Sequence, residues 1–353
     1  MFNRKMTRTK RLLTILIALT LIVTGQLIWR QRAEVDLELF PPLIPDILPA
    51  VSIGQSVTIH DPYAYPGEYH KAQLHVHTDK SFDGKWPMES AVGAYREAGY
   101  TYLAIADHDR VTLYNDLDGP DFVTIPAEEN TVPWPFWPLG THMLRLFVDS
   151  HAWSGDAQAR INKTIKAGGM AALAHPNWSG NLQTGQWTLP QMLALHGFHL
   201  VEVYNPHSNW RKDTQRWHEL IRRRGPKEPI WAIAVDDSHS EDLFNRGWIV
   251  VKTDGISKKA LKDALLRGSF YPSTGPTVVF GVIDELITVK LKGDNPAKIE
   301  FIAGNGDVVS SVTSIEASYT PKGNEGFVRV EVETEGGKRA WSQPFWLEPG
   351  EAL

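Results

Sequence analysis

Residues 73–84 read QLHVHTDKSFDG. His75 and His77 stand two positions apart, and on a strand such residues face the same way, so both rings can reach one ion. Asp83 follows shortly after. Further along come Asp107-His108-Asp109, the adjacent acids Glu128 and Glu129, His142, His175 within AHP, Glu202 with Asn205, and Asp236-Asp237-Ser238-His239. Taken singly, each has an ordinary structural explanation: a DHD can be a capped turn, and a histidine in AHP a packed core residue. Jointly they are distinctive. Six of the thirteen histidines lie at ends of apolar runs beside carboxylates, and imidazole with carboxylate is the donor set of hard and borderline divalent metals. The chain has no cysteine, which excludes disulfides and thiolate sites and leaves His, Asp and Glu to supply every ligand. It also has no G-x-S-x-G elbow, so nothing in the sequence calls for a serine or cysteine nucleophile.

The elements that must position these residues alternate in type. Apolar runs fall at 72–76, 101–106, 122–126, 142–148, 170–174, 199–204, 230–235 and 247–251, with helical patterns at 88–98, 156–167, 209–224 and 257–267. This alternation predicts an α/β fold with a mostly parallel sheet, open or closed as a barrel. In such folds the C-terminal strand ends build the site, and that is where most of the candidates stand. After Pro276 the pattern becomes apolar–polar alternation at period two, predicting a small antiparallel β domain of sandwich type over 276–353. Residues 33–70, rich in proline and aromatics, read as a linker or arm. Residues 1–32 carry Arg4, Lys5, Arg8, Lys10 and Arg11 before an uncharged apolar run from Leu12 to Trp29. That is the pattern of an export signal, long enough to stay as a membrane anchor. The globular part is then expected on the periplasmic or extracellular side, anchored, or secreted if the signal is cleaved. Net charge is −5, with no basic block beyond the N-terminus, so nucleic acid is not an expected partner.

The ordered set H-x-H-T-x-x-S-x-D-G, A-D-H-D, an acidic pair, a mid-chain His, A-H-P and D-x-H resembles the PHP (polymerase and histidinol phosphatase) superfamily, over about residues 71–251. The resemblance implies a distorted (β/α)7 barrel over 71–275 and two or three divalent ions, zinc, manganese or iron. Carried over by position, it implies that His75, His77, Glu129 and Asp237 hold one ion. Glu129, His142 and His175 would hold a second, with Glu129 bridging, and Asp83, His108 and His239 a third. The chain departs from the pattern in having Ala127 where the family has the glycine of G-x-E, which leaves Glu128 as an alternative to Glu129. An aspartate at position 83 offers oxygen and biases the third site toward manganese or iron. The β module after residue 275 also looks like the tail of exported members.

The expected function is a metal-dependent phosphoesterase in which His75, His77, Glu129 and Asp237 act through the bound metal and an activated hydroxide. The alternatives are a carboxyl or carbamate esterase on the same site, for which the Trp-rich stretch 131–153 suits a bulky or apolar substrate, and a non-catalytic envelope protein that binds glycan. Asp107 and Asp109 are candidates for orienting imidazoles, or simple turn caps. Arg110 is a candidate substrate contact, and Glu202 and Asn205 are candidate supports or substrate contacts. His60, His70, His151, His196, His199, His207 and His218 fall outside the pattern.

Overall fold

The computed structural model describes residues 50–53, 57–113 and 115–349. The expected signal or anchor at 1–32 lies outside them. Among the described residues no helix is long and apolar enough to cross a membrane.

The chain opens with β1 (Ala50–Ile53), β2 (Val57–His60) and β3 (Glu68–Gln73). The stretch read as an arm is therefore partly strand, and β2 is bonded to the last strand of the chain, β19 (Phe345–Pro349). Then follow β4 (Tyr100–Ile105), β5 (Val123–Pro133), β6 (Gly140–Leu146), β7 (Met170–Leu173), β8 (Leu200–Tyr204) and β9 (Trp231–Ala234). Helices α1 (Met88–Glu97), α2 (Ala157–Lys166), α3 (Leu189–Ala194), α4 (Trp210–Arg224) and α5 (Lys258–Arg267) are interspersed. Their starts obey local chemistry: Asp156, Asn209 and Ser257 each accept the backbone N–H three residues on, and Thr188 forms a capping box with Gln191. The short α3 has too few apolar repeats to be seen by periodicity.

Strands β3 to β9 lie side by side in chain order. The pairs β3–β4, β4–β5, β7–β8 and β8–β9 are parallel, but β5–β6 and β6–β7 are antiparallel. The sheet is thus mixed rather than mostly parallel. The expected barrel is not closed by a strand ladder either. The free edge of β3 is taken by β10 (Trp248–Thr253), which runs antiparallel to it. The chain just after β3 instead meets the chain just after β9 through a single parallel bridge, Val76 to Ser238. That bridge is reinforced by the Asp237 N–H to the His75 carbonyl (3.0 Å) and the His77 N–H to the Ser238 carbonyl (2.9 Å). Two of the sequence motifs are laced together there.

Beyond β10 lie β11 (Phe270–Ser273), β12 (Val278–Ile283), β13 (Leu286–Leu291), β14 (Ala297–Ala303), β15 (Val308–Ser314), β16 (Glu316–Tyr319), β17 (Phe327–Glu333) and β18 (Arg339–Trp341). Their pairings are antiparallel, and the large sheet continues from β10 through β11 and β18 into β17. A separate sheet, β12–β13–β16, shares an apolar core with β14, β17 and β19, built around Phe280, Ile287, Phe301, Val330 and Phe345. A second and larger core includes Leu144, Leu173, Trp217 and Trp231, from β6, β7, α4 and β9.

Candidate metal centre

The acidic pair is resolved by strand geometry. Glu128 and Glu129 are neighbours on β5, so they point to opposite faces. Glu128 lies opposite Arg145 in the β5–β6 ladder and is buried against it, with His151 on its other oxygen. Glu129 points the other way, into a group of histidines. Its Oε1 lies 3.0 Å from His142 Nδ1 and 2.9 Å from His175 Nε2; its Oε2 lies 3.2 Å from His77 Nε2, 3.4 Å from His75 Nε2 and 3.2 Å from His108 Nδ1. His142 reaches this end of the sheet because β6 runs backwards. Its first residues lie where the parallel strands end, so a histidine opening a strand can join those that follow one.

Around Asp237 the donors are similarly close. Asp237 Oδ1 is 3.3 Å from His75 Nε2 and 3.1 Å from His77 Nε2, and the two Nε2 atoms are 3.0 Å apart. A tetrahedral ion with ligands at about 2.0–2.1 Å would hold neighbouring ligand atoms about 3.3–3.4 Å apart, so His75, His77, Glu129 and Asp237 are spaced as one coordination shell. The third group forms where Asp83 Oδ2 meets His108 Nε2 (3.4 Å) and His239 Nε2 (3.3 Å). Buried Asp237 Oδ1, His108 Nδ1 and His142 Nδ1 have no hydrogen-bond partner in the protein. Orphaned polar atoms facing one another in a buried cluster are what a bound cation would satisfy, so the residues fit the ions.

The far side of three rings, those of His75, His77 and His239, is assigned. His75 donates from Nδ1 to Glu202 (2.7 Å), which also accepts the His175 backbone N–H (2.6 Å) and the Asn205 amide (2.9 Å). Asn205 donates in addition to Asp237 Oδ2 (3.0 Å). Ser81 donates to Asp83 (2.9 Å), which leaves its oxygen to accept from His77 Nδ1 (3.3 Å) and from the His108 backbone N–H (3.2 Å). His239 Nδ1 donates to the Asp237 carbonyl (3.0 Å). Each bond commits one ring nitrogen as a donor and turns the other toward the cluster. Glu202 and Asn205 thus support candidate ligands. Replacing Glu202 with Gln puts an amide N–H against His75 or His175 and is expected to weaken metal binding about 10- to 100-fold, measured by competition with a chromogenic chelator.

Two candidate ligands sit on backbone in the left-handed region, His175 (φ 29°) and Asp237 (φ 48°). Such conformations cost about 1–3 kcal/mol each in non-glycine residues. The backbone bonds from Asp237 to His75 and from His175 to Glu202 hold them there. Electrostatically the cluster draws positive charge. Burial opposes ionisation of His75, but Asp237, Glu129 and Glu202 lift its pKa well above the ordinary imidazole value; carboxylates beside His77 likewise outweigh burial and raise it to about 9. Burial would raise Glu129 and Asp237, but the surrounding histidines hold both well below the usual carboxylate range.

Other candidates are placed differently. Asp107 accepts from the Thr78 N–H (2.7 Å) and hydroxyl, steadying the turn after His77. Asp109 accepts the Thr131 N–H (2.8 Å) and the Trp137 indole N–H (2.8 Å), so it shapes the Trp-rich loop. Arg110 is exposed and is not among the residues lining the cavity over the cluster. His207, set aside by the sequence pattern, does line that cavity of about 250 Å³, together with Trp178 and Leu243. Its Nε2 donates to the Asp237 carbonyl (3.1 Å). The one cue to it was its position just past the end of an apolar run. Of the other histidines set aside, His60 lies against Glu348, His151 against Glu128, His196 against Glu228 and His218 against Arg329.

Asp213, on α4, anchors the loop after His175 by accepting from the backbone and side chain of Asn177 (2.8 and 2.7 Å). Burial is the leading cause that raises its pKa from 3.8 to about 6. A raised carboxyl favours folding fully below its unfolded pKa, and that contribution is lost as pH climbs through the folded value. Each pKa unit is about 1.4 kcal/mol, so the loss is on the order of 3 kcal/mol. Asp213→Asn keeps an acceptor and cannot ionise; its melting temperature is expected to gain on wild type between pH 4 and pH 6.5, read by thermal unfolding across that range.

No protein-family model matches the chain, and no curated protein matches it. Among solved structures it is similar to a two-domain protein from Bacteroides vulgatus containing a predicted PHP-like metal-dependent phosphoesterase. Identity there is 14% and the TM-score 0.49, over 82% of this chain and 94% of that one. It is also similar to a protein from Bifidobacterium adolescentis, provisionally described as a metal-dependent phosphoesterase, with 13% identity, a TM-score of 0.41 and 56% and 96% of the two chains covered. A third is an amidohydrolase from Chromobacterium violaceum, at 13% identity and a TM-score of 0.35, over 48% and 88%. The first carries the family name that the motif set resembles.

Proposed function

We propose that this chain is a metal-dependent hydrolase that cleaves phosphate esters at a cluster of two or three divalent ions. The observation that carries the reading is convergence. The nine residues His75, His77, Asp83, His108, Glu129, His142, His175, Asp237 and His239, drawn from separate stretches of the chain, meet around the two oxygens of Glu129 and the carboxylates of Asp83 and Asp237. His75, His77, Glu129 and Asp237 would hold one ion, His142 and His175 with Glu129 a second, and Asp83, His108 and His239 a third. Such ions supply Lewis acidity toward an ester oxygen and lower the pKa of water.

The chain's own residues do the rest. Glu202, Ser81 and the Asp237 carbonyl fix the ring orientations, so the cluster is organised before substrate arrives. Glu129, buried and held ionised, offers one oxygen to each of two neighbouring groups, which keeps them at a fixed separation. His207 stands at the mouth, with its Nε2 proton committed to Asp237, where it can contact a substrate without being a ligand. None of the ligand positions is lost to substitution, which argues for an enzyme over a glycan-binding envelope protein. From the composition of residues 1–32 we further propose that the catalytic body works outside the cytoplasm.

The test is a panel of p-nitrophenyl phosphate mono- and diesters and p-nitrophenyl carboxyl esters, with metal-stripped protein and protein reloaded with Mn²⁺ or Zn²⁺. Metal-restored turnover of the phosphates is expected. Turnover confined to the carboxyl esters would move the assignment to an esterase on the same cluster.

A further inference from the structure

Two aromatic side chains stand over the metal centre with their faces open. Phe82 belongs to the same short stretch as Asp83, and its ring lies on that of His108 at a centroid distance of 4.9 Å and an interplanar angle of 28°. It is nevertheless 68% exposed. Trp137, 57% exposed, meets Phe82 edge to face at 6.3 Å. Trp137 is not loose: its indole N–H is bound to Asp109, whose other oxygen takes the Thr131 N–H. The loop is tied again where the Trp134 N–H meets the Leu139 carbonyl (2.9 Å).

Within the cavity, which Phe82 and Trp137 border through His108 without lining it, Trp178 lies against His142 (5.3 Å) and His175 (4.9 Å). It is seated by glycines: a Cβ on Gly180 would fall 2.0 Å from the ring, and one on Gly185 2.4 Å from it. Three of the candidate-ligand imidazoles therefore carry an aromatic ring, His142 and His175 a closed-in one and His108 one that faces solvent. Large apolar side chains held in place yet left open mark a binding surface. Whatever covers Phe82 also lies within one ring's width of His108. That continuity with the ion cluster points to part of a small substrate.

We propose that Phe82 and Trp137 form a subsite for a flat aromatic ring carried by the substrate next to its reacting ester. The ring stacks on the outer face of Phe82 and meets Trp137 in the offset or perpendicular geometry that aromatic quadrupoles favour. The inference rests on the reading of the cavity as a hydrolytic site, and it names the class of ester: arylalkyl or aryl rather than short alkyl.

The test separates binding from turnover. The full chain, reloaded with Mn²⁺, is titrated calorimetrically with 2-phenylethylphosphonate and ethylphosphonate, which cannot be hydrolysed. Turnover is measured on 2-phenylethyl and ethyl phosphate, whose leaving alcohols are similar. The phenyl compounds are expected to be favoured about tenfold in Kd and in kcat/KM, with the preference falling to near one in Phe82→Ala and Trp137→Ala at unchanged metal content. Equal affinity for the two phosphonates, binding of neither, or a preference that survives both substitutions overturns the subsite. A tenfold phosphonate preference with no turnover of either phosphate supports the subsite while removing phosphate hydrolysis as the function.

Discussion

Asp237→Ala is expected to empty the first ion position and to lower hydrolysis at least about a thousandfold, some 4 kcal/mol of transition-state stabilisation. Asp237 Oδ1 faces His75 and His77 at 3.3 and 3.1 Å, and no protein donor satisfies it. Its other oxygen holds Asn205, which in turn bonds Glu202 behind His75. Removing the carboxylate takes away one ligand and loosens the support of a second. The backbone at 237 still bridges to His75, so the chain can close as before, although alanine at φ 48° carries strain. Asp237→Asn keeps the shape and the local hydrogen-bonding capacity, and serves as the variant that must fold. Metal analysis by mass spectrometry, circular dichroism and the phosphoesterase assay on the same samples decide the matter. Full activity with full metal content would mean that the centre is misassigned.

Glu128→Ala and Glu129→Ala should fail in opposite ways. Glu128 is paired with Arg145 in a buried setting, and Arg145 is further bound to Thr164 (2.7 Å) and the Ser150 carbonyl (2.9 Å). Breaking such a pair leaves an uncompensated buried charge and costs about 3–5 kcal/mol. The expected result is a large fall in melting temperature, with metal retained by the folded fraction. Glu129 faces five histidines without a lysine or arginine partner among its described ion pairs. Losing it should strip ions from two groups and abolish activity, with a smaller change in the stability of the metal-free protein. Unfolding in urea and metal stoichiometry separate the two. If Glu128→Ala were the variant that lost metal, the strand-face assignment of the pair would be wrong.

Much of the centre was legible because metal ligands are chemically conspicuous. Histidines and acids at the ends of apolar runs stand out against strand composition, and the i, i+2 spacing of His75 and His77 needs only strand geometry to bring them together. The choice between Glu128 and Glu129 was not legible, because it depends on which face of β5 looks into the cluster, and that is set by pairing with β6. The same reversed strand explains why a mostly parallel sheet was expected. An apolar run looks alike in either direction, so periodicity cannot report that β6 turns back. His207 was hidden for a related reason: it belongs to the site through space, against Asp237, and no spacing rule connects positions 207 and 237.

By itself the sequence determined the donor types and the exclusion of thiolate chemistry, since these follow from side-chain identity, and the helix caps found in the fold follow from local hydrogen bonding. Tertiary structure alone decided which oxygen faces which imidazole, that β10 rather than β9 occupies the edge of β3, and that Phe82 lies on His108 with Trp137 at its side. The physical reason is range. Caps are set within a few residues, whereas the coordination shell joins residues as distant as His75 and Asp237 and the aromatic wall joins Phe82 to Trp137, brought together by the register of strands that the amino-acid pattern leaves open.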